Sequence, residues 1–185
     1  DDAPTFLRMA GYLLIMHVAL GGTFYPVHDG HCALFERAFE LGDLTVGLTT
    51  DELAPKTRQV DRYVKPFSDR RYSLSAELEP LAEAHNCEFE IRRLKKPTGI
   101  ATEPGFDAIV VSPETQAGAE RINQIRRERG LDPLDIEIVD HVYADDGRRI
   151  SSTRIVRGEI DRHGQLTPHR SGRSATQPAD DCGAE

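Results

Sequence analysis

Hydrophobic positions along the chain change their period several times, and each change marks an element. Residues 17–20 form a short apolar run that breaks at once into Gly21-Gly22-Thr23, which predicts a central strand opening into a loop. Just beyond, Leu34, Phe35 and Ala38 share one side of a 3.6-residue repeat, the signature of a helix. Residues 44–49 are apolar and β-branched, a second strand, and Thr50-Asp51-Glu52 follows as a helix start. Residues 54–65 are basic and interrupted by Pro55, so they predict a loop or a short irregular helix. Pro66 then opens a helix whose inner side takes Phe67, Arg70, Leu74, Leu78 and Leu81, about one residue per turn.

The second half repeats the theme. Residues 87–92 alternate with period two, as a strand near a sheet edge does. Residues 94–105 are punctuated by Pro97, Gly99, Pro104 and Gly105 and read as loop. Residues 106–112 are the most continuously apolar strand. Pro113-Glu114-Thr115 leads from it into a helix carrying Ala119, Ile122 and Ile125, stopped at Gly130. Residues 134–139 are the last clear strand, and 150–157 read as a turn entering a short helix. Five strands with helices for both faces make a Rossmann-like α/β fold, in which ligands sit beyond the carboxyl ends of the strands.

All of these elements fall within residues 16–161, the expected domain. Residues 1–15 are read as an extension, with Met16 a candidate natural start. From Asp161 onward the only large aliphatic side chain is Leu166, so 162–185 are expected to be a disordered tail.

Composition narrows the function classes. A formal charge of −8 argues against a general nucleic-acid binder, which carries a basic field. Cys32, Cys87 and Cys182 are odd in number, widely spaced and without a C-x-x-C pair, which fits a reducing, cytoplasmic compartment and no zinc site. The longest apolar run, 10–20, is too short to span a bilayer, so no membrane partner is expected.

The candidate chemistry concentrates in residues 18–31. A strand opens into Gly21-Gly22-Thr23-Phe24, followed by His28-Asp29-Gly30-His31 at a helix start. Backbone N–H groups and a helix N-terminus there are available to an anion, and two glycines would let a phosphate chain approach the backbone. No G-x-x-x-x-G-K-[ST] loop, paired-carboxylate motif or Ser/His/Asp arrangement competes with this reading.

Gly21-Gly22-Thr23-Phe24 with His28-x-Gly30-His31 resembles the (H/T)xGH signature of the nucleotidyltransferases. Ile150-Ser151-Ser152-Thr153-Arg154 resembles their ISSTxxR element, and Ile109-Val110-Val111-Ser112-Pro113-Glu114-Thr115 resembles a segment of the archaeal and eukaryotic-like members. Taken together, residues 16–161 resemble the archaeal type of phosphopantetheine adenylyltransferase. The resemblance implies strand order 3-2-1-4-5 and adenylyl transfer from ATP to 4′-phosphopantetheine, with Mg²⁺ accompanying ATP, no other metal site, and a monomer.

It also implies roles. His28 and His31 face the ATP phosphates, and His31 holds the α-phosphate. Thr23 orients the α-phosphate and the acceptor phosphate, and Lys56 meets the substrate phosphates, with Arg58 and Lys65 as helpers. Gly21, Gly22, Phe24, Ser112 and Glu114 complete the nucleotide site, with Ser151, Ser152, Thr153 and Arg154 on the β- and γ-phosphates. The motif's arginine position is Val156 here, with Arg154 and Arg157 on either side, and Arg154 is assigned the phosphate contact. Tyr25 stands where many relatives have Asp, and Asn123 and Arg126 follow the family's pattern. Competing readings are another acceptor, nicotinamide mononucleotide with ATP or a phosphorylated alcohol with CTP, and a silent nucleotide-binding regulator. The regulator would have lost His31 or Lys56, and both are present.

Overall fold

A computed structural model describes residues 15–57 and 60–168. Expectations for residues 1–14, for Arg58 and for 169–185 lie outside the described residues. Five parallel strands form one sheet in the order β3-β2-β1-β4-β5. They are β1 (Met16–Gly22), β2 (Gly42–Thr49), β3 (Phe89–Leu94), β4 (Ala108–Val111) and β5 (Asp135–Ile138). The helices are α1 (Asp29–Leu41), α2 (Ala54–Thr57), α3 (Phe67–His85), α4 (Gln116–Glu128) and α5 (Ser152–Val156). The expected fold class and strand order are therefore those observed.

The period-two alternation of the strands divides the core between the two faces. Val18 and Leu20 of β1 with Ala108 and Val110 of β4 point one way, where they meet Phe35 and Phe39 of α1 and Leu74 and Leu78 of α3. Ala19, Ile109 and Val111 point the other way, against Ala119 and Ile122 of α4 and against Ala101. Each fully buried Leu or Phe in such a layer contributes about 1.5–3 kcal/mol. A small third core of Ala144, Ile150 and Ile160 supports α5.

Two expectations shift. Gly21 and Gly22, expected in the loop, continue β1, paired in register with Gly47 and Leu48 of β2. The turn begins only at Thr23. The domain does not stop making contacts at residue 161 either. Ile160 and Leu166 form an antiparallel bridge, and the Arg162 carbonyl accepts from the Asp29 amide at 3.1 Å. Arg162 also pairs with Glu77 of α3 at 2.7 Å, and His163 with Asp29 at 2.9 Å. Chain polarity alone marks this stretch as tail, but its backbone and charged groups clasp the start of α1.

β1 pairs with β2 on one side and β4 on the other, so the connections leaving it diverge there. That divergence is a topological switch point, and the crevice it opens lies at the carboxyl end of β1.

Candidate active site

His28 is the N-cap of α1, with extended backbone and no capping hydrogen bond from its side chain. One helical turn later His31 lies directly over it, the rings stacked at 3.8 Å between centroids and 19° between planes. Phe24, buried and in the left-handed region at φ 46°, meets His31 edge-on at 5.2 Å and Phe35 at 5.3 Å. A Cβ on Gly30 would lie 3.0 Å from the His28 ring, so the glycine between the histidines makes room for their stack. A Cβ on Gly22 would lie 2.7 Å from the Phe24 ring. The missing side chain at Gly22 thus accommodates Phe24, where the sequence alone suggests room for a phosphate.

The electrostatics of the pair are set by burial. His28 titrates at about 4, depressed first by burial and then by the charges of Arg62 and Arg162. His31 is held well below the usual histidine range by burial, by His28 and by Arg62. Both rings are therefore neutral near pH 7. Both Nδ1 atoms are sealed without a hydrogen-bond partner among the described residues. A sealed acceptor is better tolerated than a sealed donor, so the tautomer with hydrogen on Nε2 is favoured in each ring. Two neutral N–H donors without repulsive charges of their own then remain to serve an anion.

Thr23, the first residue beyond β1, bonds hydroxyl to hydroxyl with Thr49 at the end of β2 at 2.9 Å. Lys56 is exposed on α2, which follows the same strand end. Ser112 and Thr115 form a capping box beyond β4, and Glu114 pairs with Arg149. These residues all stand on the loops beyond the carboxyl ends of β1, β2 and β4. Lys65 sits 5.9 Å over the Tyr25 ring.

The Ile150 segment reaches the first motif across 126 positions through one bond, Ser152 Oγ donating to the Pro26 carbonyl at 3.1 Å. Ser151 caps α5, accepting from the Arg154 amide at 3.3 Å, and Thr153 is half-buried in its first turn. Arg154 behaves otherwise than the phosphate assignment requires. Its guanidinium is buried and donates to Glu159 at 3.0 Å, to Asp146 at 2.5 Å and to the Arg149 carbonyl at 3.0 Å. Two carboxylates already match its charge, so Arg154 ties α5 to the 142–150 hairpin. Arg157, exposed at 44%, is the guanidinium of this helix that faces solvent. Asn123 and Arg126 are structural as well. Asn123 exchanges two hydrogen bonds with the backbone of Leu134, and Arg126 donates to the carbonyls of Ala101, Glu103 and Asp132.

Arg70 and Thr49 were not singled out as site residues. Arg70 is 0% exposed and lies directly beneath the Thr23 loop. The signal was an arginine at an inward position of the α3 repeat. Among the described residues no three His, Cys, Asp or Glu side chains converge as metal ligands. Mg²⁺ is ordinarily held by one or two carboxylates together with substrate phosphates, so an ion accompanying ATP needs no such cluster. Grooves of about 510 Å³ and 480 Å³ run along α3, lined by Cys32 and Glu77 in one and by Phe67 and Arg93 in the other. Neither contains the histidine pair or Thr23. No helix among the described residues is long and apolar enough to cross a membrane.

The comparisons with known proteins agree with this geometry. The family model described as cytidylyltransferase-like matches residues 19–158. The phosphopantetheine adenylyltransferase of Methanosarcina acetivorans is 47% identical over 152 residues, spanning 80% of this chain and 94% of that one. The phosphopantetheine adenylyltransferase of Archaeoglobus fulgidus is 44% identical over 153 residues, 82% of this chain and 99% of its own. A solved structure from Archaeoglobus fulgidus, described as a protein with unknown function, superposes with a TM-score of 0.59 at 38% identity, covering 68% of this chain and 90% of that one. With the histidine pair at the switch point and similarity running nearly the whole length of these relatives, the chain belongs to the cytidylyltransferase-like nucleotidyltransferases and, within them, to the archaeal-type phosphopantetheine adenylyltransferases.

Proposed function

We propose that the protein transfers the adenylyl group of ATP to 4′-phosphopantetheine, giving dephospho-coenzyme A and pyrophosphate. The acceptor is supported by the 47% identity to a phosphopantetheine adenylyltransferase, which spans almost all of that relative. The acceptor's phosphate oxygen attacks the α-phosphorus of ATP, and the bond to the bridging oxygen of the β-phosphate breaks. The attacking oxygen is already anionic, so no protein nucleophile or general base is required. The protein's work is to align the two phosphates and to place donors where negative charge builds.

The stacked, neutral His28–His31 pair carries the chemical part of this reading. Its Nε2–H groups are suited to donate to the α-phosphate oxygens as charge develops on them, in a buried setting where each bond is stronger than in water. Thr23 orients the acceptor and α-phosphates. Lys56, a compact and mobile ammonium, offsets their mutual repulsion. Ser112 and Glu114 border the adenosine, and Ser151, Ser152 and Thr153 present the start of α5 to the departing pyrophosphate. ATP enters as its Mg²⁺ complex, the ion belonging to the nucleotide. The reading is of a single chain acting in the cytoplasm.

The test is a substrate panel. ATP and CTP are each offered with 4′-phosphopantetheine, nicotinamide mononucleotide and a phosphorylated alcohol, and pyrophosphate release is followed. Turnover is expected with ATP and phosphopantetheine. Efficient use of nicotinamide mononucleotide with none of phosphopantetheine would overturn the assignment.

A further inference from the structure

Arg70 has five N–H donors, and all five are engaged. Nε donates to the Lys65 carbonyl at 2.8 Å. One terminal nitrogen reaches the Thr23 carbonyl and Thr49 Oγ1, each at 3.3 Å, and the other reaches the Thr49 carbonyl and Asp51 Oδ1, each at 2.8 Å. The side chain is fully buried. It binds three segments together: the turn beyond β1, the end of β2 and the entry to α3.

The direction of the bonds matters more than their number. Arginine can only donate, so Thr49 Oγ1 must accept from it. Thr49 is 2% exposed, and its hydroxyl also bonds the Thr23 hydroxyl at 2.9 Å. If Thr23 donated in that bond, the Thr49 hydrogen would be buried without an acceptor among these contacts, which is unfavourable. The reverse direction satisfies every group. Thr49 donates to Thr23, and the Thr23 hydrogen is left to point into the crevice. Donors in such a chain polarise one another, so a cation at its far end makes the last hydroxyl a better donor.

We infer that Thr49 and Arg70 are positioning residues that fix the Thr23 hydroxyl as a hydrogen-bond donor toward substrate phosphate. This rests on the functional reading above, in which Thr23 meets the phosphates. It adds what that reading lacks, a reason why the hydroxyl would donate to an anion rather than spend its hydrogen inside the protein.

The experiment is a double-mutant cycle on the full chain with ATP and 4′-phosphopantetheine, each variant also followed by thermal melts. Thr49→Val keeps the shape and removes the relay. It should lower kcat about tenfold with the KM for ATP changed less than about twofold, and Thr49→Ser should restore most of the loss. In a Thr23→Val background the Thr49→Val change should cost nothing further, because the hydroxyl it orients is gone. Thr49→Ala carries the same expectation should the valine variant fold poorly. A kcat of Thr49→Val or Thr49→Ala within about twofold of wild type overturns the relay, as does a double variant whose losses multiply. The two failures are distinct. A wild-type enzyme that leaves phosphopantetheine untouched overturns the functional reading and the relay's role with it, whereas an active wild type with indifferent Thr49 variants overturns the relay alone.

Discussion

The histidine pair and the Arg154 cluster are both polar, both largely enclosed and both centred on residues of nucleotidyltransferase motifs, yet their accounts of hydrogen bonds differ. Around Arg154 they close: two carboxylates and the Arg149 carbonyl receive its donors, and its charge is matched on the spot. Around His28 and His31 they stay open, with two sealed Nδ1 atoms lacking partners and two rings forced to neutrality. A satisfied buried cluster holds a fold together. An unsatisfied one persists only where something else is gained, and in the functional reading proposed above that gain is the bound ATP phosphates. Membership in a motif does not decide which of the two a residue will be.

The sharpest way to break the comparison is to remove one member from each region. His31→Ala should lower kcat by about 10²–10³ and move the ATP KM much less, since its bond strengthens in the transition state. Melting should change little. A well-folded variant with kcat within about threefold of wild type would remove His31 from the reaction. Arg154→Met should do the reverse. Losing the buried guanidinium and its hydrogen bonds to two partly exposed carboxylates should lower stability, read by denaturant unfolding, while the fraction that stays folded keeps near-normal kcat. A large kcat loss without loss of stability would return Arg154 to the phosphates.

A pH series sharpens the same contrast. His28 binds a proton at about 4 when folded and near 6.5 when unfolded, and His31 is shifted in the same direction. Between those values the unfolded chain binds protons the native one refuses, so stability is complete above about pH 6.5 and declines as pH falls toward 4. The melting temperature should drop across that window. A His28→Asn/His31→Asn double variant should show a shallower drop; an unchanged slope would mean the rings are not the buried neutral pair described.

The smallest effects belong to the clasp beyond Asp161. A chain ending at 168 keeps the Arg162–Glu77 and His163–Asp29 contacts and should match the full chain in melting and turnover. Ending at 161 removes them and the carbonyl that receives the Asp29 amide, which should cost about 1–2 kcal/mol of stability. Equal melting of the two truncated chains would show that the clasp contributes nothing.

Much of this was legible in the sequence, and for local reasons. Short apolar and β-branched runs mark four of the strands and period-two alternation the one at 87–92, and the once-per-turn repeat of α3 even places Arg70 on the buried side. The spacing of His28 and His31 put two imidazoles one turn apart at a helix start. Strand order was legible only by resemblance, since periodicity says which residues face inward and not which strand lies beside which. Nothing local could show that Thr49 stands beside Thr23, because those partners are 26 positions apart in the chain, and Gly22 makes room for Phe24 only because the turn puts Phe24 in the left-handed region and folds its ring back. Arg154 is the clearest case. A motif brings an arginine to a helix, but whether it meets phosphate or carboxylate depends on where residues 146 and 159 fold, and the pairing of a buried charge is settled only once the tertiary structure has chosen its neighbours.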